Sequence, residues 1–439
     1  MDKYHAYSAY KDVGLHWVSS IPEHWSFTRN IALFEERESK NHPEKELLAV
    51  TIAYGVVKQA ELAELTERKN TASDDKTNYK LVKPGDLAYN KMRMWQGAIG
   101  ISPYEGIVSP AYVILKAKAT IDPRYFHYQF KTPGFISEAG RYSYGLCDDM
   151  NSLRFKDFKT LYSVHPPLKE QCAIADFLDH ETAKIDHLIA KQERLIELLK
   201  EKRHAVISHA VRAGGNSQPA KLGYFTDLLP GYAFPSASFS HDKNDIPLLR
   251  GINVDVGSVR WEETVYWPKE GYDELYRYAL FPGDLVFGMD RPWIAGGARV
   301  AEITTSDVPS LLLQRVCRLR ARKGLTQKFL KLILSSQEFK EYIEADLTGV
   351  SVPHISPDQI LSFRLGLPSV QEQKSICKSV DEQFEKIDAT ISKVKNATEL
   401  MQEHRTALIS AAVTGKIDVR DWKKPEQQYL GKAVKTATG

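Results

Sequence analysis

Residues 166–214, PPLKEQCAIADFLDHETAKIDHLIAKQERLIELLKEKRHAVISHAVRAG, and residues 367–415, LPSVQEQKSICKSVDEQFEKIDATISKVKNATELMQEHRTALISAAVTG, decide the fold, because they are one sequence written twice. In constant register Pro166 falls on Pro368, Glu170-Gln171 on Glu372-Gln373, Ile174 on Ile376, Asp179 on Asp381 and Lys184-Ile185-Asp186 on Lys386-Ile387-Asp388. Glu201 and Arg203 likewise fall on Glu403 and Arg405, Ile207-Ser208 on Ile409-Ser410, and Ala210-Val211 on Ala412-Val413. Roughly 19 identities in 48 ungapped positions mark a duplication, and an internal repeat governs architecture before any local pattern does.

Each copy predicts one long helix. Apolar residues recur at steps of three and four: Ile174, Leu178, Ile185, Leu188, Leu195, Leu199 and Val206 in the first, and Ile376, Val380, Ile387, Val394, Met401 and Leu408 in the second. Pro166-Pro167 precedes the first helix, and Ser369 with Glu372 forms a capping box at the second. Gly214-Gly215 and Gly415 supply the stops. About 46 residues rising ~1.5 Å each make a rod of roughly 70 Å. Two such seams of equal length predict a two-helix coiled coil.

The segments outside the rods also correspond. Leu47-Leu48 with Gly55-Val56-Val57 matches Leu248-Leu249 with Gly257-Ser258-Val259, and Lys83-Pro84-Gly85-Asp86-Leu87 matches Phe281-Pro282-Gly283-Asp284-Leu285. Trp95 with Gly97-Ala98 matches Trp293 with Gly296-Gly297-Ala298, and the strand YVILKAK matches RVCRLRA. These short β-rich runs, broken by turn residues, predict two diverged copies of a mixed α/β (α+β) domain with mixed sheets. The expected organisation is a globular domain over 1–165, a rod over 166–215, a second globular domain over 216–367, a second rod over 368–415 and a polar tail over 416–439.

Composition sets the limits on function. The 439 residues are 43% hydrophobic and 26% charged, an ordinary globular mixture. The opening MDKYHAYSAYKD has no apolar core, and no run approaches the ~18 apolar residues of a membrane helix, so neither secretion nor a membrane is expected. Cys147, Cys172, Cys317 and Cys377 form no C-x-x-C pair; neither a disulfide framework nor a zinc knuckle is suggested, and a cytoplasmic location fits. A net charge of +3 is too small to announce a nucleic-acid binder, so any DNA contact must rest on local clusters.

Catalytic constellations are missing from the sequence. It contains neither a G-x-x-x-x-G-K-[ST] phosphate loop nor a G-x-G-x-x-G turn. His165-Pro166-Pro167-Leu168 lacks both functional ends of the amino-methyltransferase motif, where the first residue accepts from the target amine and the last stacks on the base. Glu38-Ser39-Lys40 has no partner acid in a preceding strand. His180, His187, His204 and His209 lie on the first rod without the i, i+4 spacing that binds metal. No catalytic residue and no metal ligand is therefore assigned.

What remains are arginine, aromatic and amide side chains beside Gly-rich turns. Lys91, Arg93, Trp95 and Gln96 follow the first Pro-Gly-Asp strand, and Arg291 and Trp293 follow the second. Such loops place Arg or Gln on base edges and a Trp face against sugar, or anchor the core instead. Arg141, Tyr142 and Tyr144 before the first rod, and Ser351 and His354 before the second, stand in corresponding polar loops. Arg250 and Asn253 follow Leu248-Leu249, while Arg318 and Arg320 alternate with Arg322 along one strand and so share a face, open to phosphate or to solvent.

This pattern resembles the specificity subunit of type I restriction-modification systems over nearly the whole chain. The resemblance is carried by Tyr10-Lys11-Asp12 through Ile21-Pro22-Glu23-His24-Trp25, by Pro166-Pro167-Leu168, Glu170-Gln171 and Ile185-Asp186, and by Glu372-Gln373, Ile387-Asp388 and Ala412-Val413-Thr414-Gly415-Lys416-Ile417. It implies two target-recognition domains, each reading one half of a bipartite asymmetric site in double-stranded DNA. It also implies an antiparallel coiled coil that sets their spacing and docks two methyltransferase subunits. Those partners would bring S-adenosylmethionine, and motor-nuclease subunits would bring ATP and Mg, with no cofactor in this chain. The same architecture would serve a methylation-only complex; a structural coiled-coil adaptor would not need two α/β domains.

Overall fold

The computed structural model describes residues 4–66, 75–145, 151–213, 218–294, 296–346 and 354–424; Cys147, Gly214-Gly215, the loop containing Ser351 and the tail beyond 424 lie outside them. Both repeats are single helices, Leu168–Ala213 of 46 residues and Val370–Val413 of 44. The second is opened by the capping box, in which Ser369 N donates to Glu372 Oε2 at 2.8 Å and Glu372 N to Ser369 Oγ at 3.3 Å. At its end Gly415 takes φ 71°, the left-handed conformation that lets Lys416 N close back on Ala411 O.

Compact packing divides the chain inside the rods: one unit comprises Met1–Ala190 with Ala397–Gly439, the other Lys191–Asn396. Each unit thus takes its own stretch of both helices. In the first, Trp25 Nε1 donates to Glu170 at the head of one helix while its ring lies beside Gly415 past the end of the other, and farther along Arg405 forks onto Asp186 at 2.8 and 3.1 Å. The helices there run antiparallel. In the second, Arg203 reaches Asp388 at 2.5 Å with its guanidinium 4.1 Å from the Phe384 ring centre, and Val211 shares a core with Ile376 and Cys377, again an antiparallel run. Arg203 and Arg405 are repeat partners, as are Asp186 and Asp388.

The seam corrects one expectation. Buried and half-buried positions step by four and three through Leu178, Thr182, Ile185, Ile189, Gln192, Ile196, Leu199, Arg203, Val206 and Ala210, and through Gln373, Cys377, Val380, Phe384, Ile387, Ile391, Val394, Thr398, Met401, Arg405 and Leu408. Leu188 and Leu195 are not seam residues: they are 45% and 39% exposed. Neighbouring apolar pairs, Leu188-Ile189 and Leu195-Ile196, offer two stripes about 100° apart, and only the isoleucines keep the strict alternation a two-helix seam requires. Ile174 is fully buried, though against the globular core of the first unit.

Each unit holds a four-stranded antiparallel sheet. In the first, β1 (Phe34–Glu36), β2 (Leu87–Asn90), β3 (Ile99–Ile101) and β4 (Tyr112–Ala117) pair in the order β1-β4-β2-β3. In the second, β5 (Thr226–Pro230), β6 (Leu285–Gly288), β7 (Val300–Glu302) and β8 (Val316–Ala321) pair as β5-β8-β6-β7, the same order. A parallel pairing of Leu248-Leu249 with Leu311-Leu312 adds the mixed character. Both Pro-Gly-Asp turns work alike. Gly85 and Gly283 take φ 88° and 90°, Asp86 and Asp284 accept from Lys83 N and Phe281 N, and each carboxylate also holds an arginine, Arg37 and Arg320 respectively.

A repeated glutamine ties the head of each rod to a helix of the adjoining domain. Gln171 accepts from Asp122 N and donates to Pro166 O; Gln373 accepts from Thr326 N and donates to Pro368 O. Asp122 and Thr326 are the N-caps of equivalent helices, Pro123–Phe130 and Gln327–Leu334, whose aromatic and aliphatic faces fill the two cores. The corrected seam sets a testable contrast. Truncating buried Ile387 to Ala is expected to lower unfolding stability by ~2–4 kcal/mol, whereas Leu188→Ala and Leu195→Ala stay within about 0.5 kcal/mol, read from denaturant midpoints. Equal losses at all three would restore the leucines to the seam.

Candidate nucleic-acid interface

In the first unit, three segments meet at one end of the sheet through backbone hydrogen bonds: Lys91 N donates to Ala111 O, and Leu153 N donates to Lys91 O. From this corner the β2–β3 connection rises. Met92 N is tied to Asn90 Oδ1, Trp95 Nε1 to Met92 O and Gly97 N to Met94 O, which buries Met94 and leaves Arg93 and Gln96 exposed. Trp95 is half-buried, its Cβ 3.8 Å from where a Cβ on Gly140 would stand. Lys91 is half-buried too; burial and the nearby Lys80 and Arg154 cations hold its amine below the ordinary range, against a smaller opposing pull from Glu36.

The loop before the first rod adds a second set. Tyr144 and Tyr142 are exposed; Tyr144 Oη donates to Asp157, and Arg154 and Lys156 each lie 5.9 Å from its ring centre. Arg141 is exposed and paired with Glu138 at 2.9 Å. Cations and open aromatic faces side by side suit a polyanion whose bases can be contacted.

The second unit repeats the corner with other residues. Met289 N donates to Arg315 O and Ile355 N to Met289 O, so the segments at 289–291, 315 and 354 converge. Arg291 is exposed at φ 45°, and Arg315 turns at φ 71°. His354 Nδ1 lies 2.6 Å from Asp290 Oδ1. Trp293 is half-buried with Phe287 and Phe339 centred 6.3 and 6.0 Å away, so its ring serves first as a core anchor.

Three expectations change on this geometry. Arg318 is buried and paired with Asp227 at 3.3 Å, Arg320 is held by Asp284 over the Phe281 ring, and Arg322, still exposed, reaches the same Asp227 at 3.2 Å; Arg318 and Arg320 are taken up by carboxylates and form no open phosphate stripe. Asn253 is buried, its amide accepting from Arg250 N and donating to Arg260 O, so its hydrogen bonds are taken up by the turn. Arg250 itself donates to Glu263 O. Ser351 lies outside the described residues. Sequence reasoning missed Arg315, Arg299, Arg154 and Lys156. Arg299 pins the second corner from behind, donating to Val254 O at 3.0 Å and Asp290 O at 2.9 Å. Arg315 heads the RVCRLRA match, which sets it against Tyr112; the strand pairings set it instead against Ala111, at the corner that Lys91 N closes in the first copy.

Among the described residues, no group of three or more His, Cys, Asp or Glu is placed to hold a metal, and no helix is long and apolar enough to cross a membrane. Comparison with known proteins gives the geometry its context. Residues 241–400 match the family model described as the type I restriction modification DNA specificity domain. The MjaVIII specificity subunit of Methanocaldococcus jannaschii is 25% identical over 335 residues, 72% of this chain and 76% of its own. The chain is thus similar to type I specificity subunits over most of its length. The EcoAI specificity subunit of Escherichia coli is 31% identical over 194 residues, 44% of this chain and 32% of that relative. In fold, the chain matches one solved in work on complex assembly and conformational transition of the type I R-M system, with TM-score 0.67 at 14% identity, covering 90% of this chain and 99% of that one.

Loop arginines and strand arginines are therefore expected to behave differently. Arg93→Ala or Arg291→Ala should relax base preference at one position of the DNA site by ~1–3 kcal/mol, measured against a panel of single-base variants. Arg318→Ala should lower thermal stability with no position-specific effect. A uniform loss across all sequences for Arg93→Ala or Arg291→Ala would make that arginine a phosphate contact.

Proposed function

We propose that this subunit gives a type I restriction-modification complex its DNA sequence, each unit's loop corner reading one half of a bipartite asymmetric site. The observation that carries this is the duplication of the corner on duplicated sheets, with the exposed and half-buried residues differing between copies: Lys91, Arg93, Gln96 and Tyr144 in one, Arg291, Arg315 and His354 in the other. Equal scaffolds with unequal side chains suit two different half-sites. The long helices set the gap between half-sites and dock two methyltransferase subunits, and motor-nuclease subunits complete the complex in the cytoplasm.

The subunit itself is non-catalytic in this reading. S-adenosylmethionine, ATP and Mg act on the partners, and adenine methylation and ATP-dependent cleavage belong to the assembly. Methyl transfer by the purified chain alone, given S-adenosylmethionine and host DNA, would refute this assignment. Mapping methylated adenines in host DNA tests the rest. Replacing 216–367 with the matching segment of another specificity subunit is expected to change one half of the methylated sequence only; a change in both halves overturns the modular reading. Inserting seven residues between Leu195 and Ile196 and seven between Lys395 and Asn396 keeps the seam periodic and adds about 10 Å of rise. At ~3.4 Å per base pair the gap should lengthen by about three base pairs with both halves unchanged.

A further inference from the structure

One carboxylate stands among the exposed cations of the second corner. A side chain that only opposed phosphate would weaken DNA binding, so Asp290 calls for another role. Its backbone is fixed, with its carbonyl held by Arg299 Nη1 at 2.9 Å and a backbone bridge joining it to His354. Its Oδ1 meets His354 Nδ1 at 2.6 Å and Arg315 Nη1 at 3.5 Å. A carboxylate at that distance accepts from the imidazole, so Nδ1 carries the proton and the free ring atom is Nε2. The charged groups around the ring are Asp290 itself, Arg315, with Nη1 3.4 Å from Nδ1, and the neighbouring Arg291.

Backbone conformation singles out the same place. Among the described residues, only Asn41, Arg291 and Arg315 have positive φ without being glycine, so both arginines of this kind sit in this corner. Such conformations cost free energy and persist where the surroundings enforce them. Here Met289 N on Arg315 O and Ile355 N on Met289 O hold the segments together, and the side chains of two of them, Arg315 and His354, meet the carboxylate of the third.

Resting on the proposed DNA-reading role, we infer that Asp290 is a positioning residue that locks His354 as the Nδ1–H tautomer, so that Nε2 accepts a hydrogen bond from the exocyclic amine of one adenine or cytosine in the second half-site. Arg315 donates beside it, and Asp290 fixes both. The chemistry follows the general rule that base edges are told apart by matched donors and acceptors in the major groove. A phosphate contact would need neither a fixed tautomer nor a carboxylate behind it.

The test uses the full chain assembled with its methyltransferase partners and duplexes in which each base pair of the mapped site is varied in turn. His354→Phe and Asp290→Asn should each lose about ten-fold in discrimination at the same single position of one half-site. The other positions and the dependence of affinity on salt should be unchanged, and Asp290→Glu should recover part of the loss. Thermal midpoints of the variants separate misfolding from altered reading. A uniform weakening at every position with a shallower salt dependence overturns the inference in favour of a phosphate contact, and so does loss at two different positions. If the wild-type complex shows no preference at any position, the proposed function itself fails.

Discussion

A helix with a single apolar seam cannot be stable in water by itself, and everything in this chain follows from the way that need is met. Duplication supplies the partner. When two copies of one helix pair antiparallel, any cross-contact must occur twice with the roles exchanged. Asp186 with Arg405 and Arg203 with Asp388 are that reciprocal pair. Each contact lies in a different compact unit. As exposed ion pairs they add little stability, but they occupy the seam and place charge where only one register satisfies it.

The same economy joins rod to globular domain. One glutamine per copy, Gln171 or Gln373, ties the head of a rod to the cap of the helix beneath it, and one aspartate per copy, Asp86 or Asp284, closes the turn into the central strand. Where geometry is fixed by backbone partners, the copies have kept the same residue. Where space alone is filled, they have drifted. Tyr128 in the first unit donates to Asp179 and packs beside Thr182, while at the matching place of the second, Leu332 and Phe384 line a cavity of about 420 Å³ together with buried Cys377. Packing tolerates such exchange as long as total volume and patterning hold.

Much of this is legible in the amino-acid sequence alone. The repeat, the two long helices, the capping box, the Pro-Gly-Asp turns and the α/β character are written in local patterns of three to fifty residues. The seam is legible only in part, because Leu188-Ile189 and Leu195-Ile196 each offer two candidates and a helical period cannot choose between adjacent apolar residues without the partner's phase. Candidate reading residues are legible as loops, since turn glycines and exposed arginines show in sequence. Their individual fates are not. Arg318 and Arg320 alternate as an open stripe would, yet Asp227 and Asp284, 91 and 36 residues back in the chain, claim them.

That last failure has a general cause. The chemistry of an arginine is set by the nearest carboxylate, and long-range pairing is the information a linear pattern lacks. In the sheet, Asp284 holds Arg320 at two points and Asp227 draws Arg318 into the protein. At the second corner Asp290 is shared between an imidazole and an arginine and fixes the position of both. Asp284 and Asp290 also differ in burial. Asp284 is almost wholly enclosed beneath its arginine, whereas Asp290 and His354 are each about one third exposed, with side-chain exposures of 35% and 36%, which leaves part of both side chains within reach of solvent.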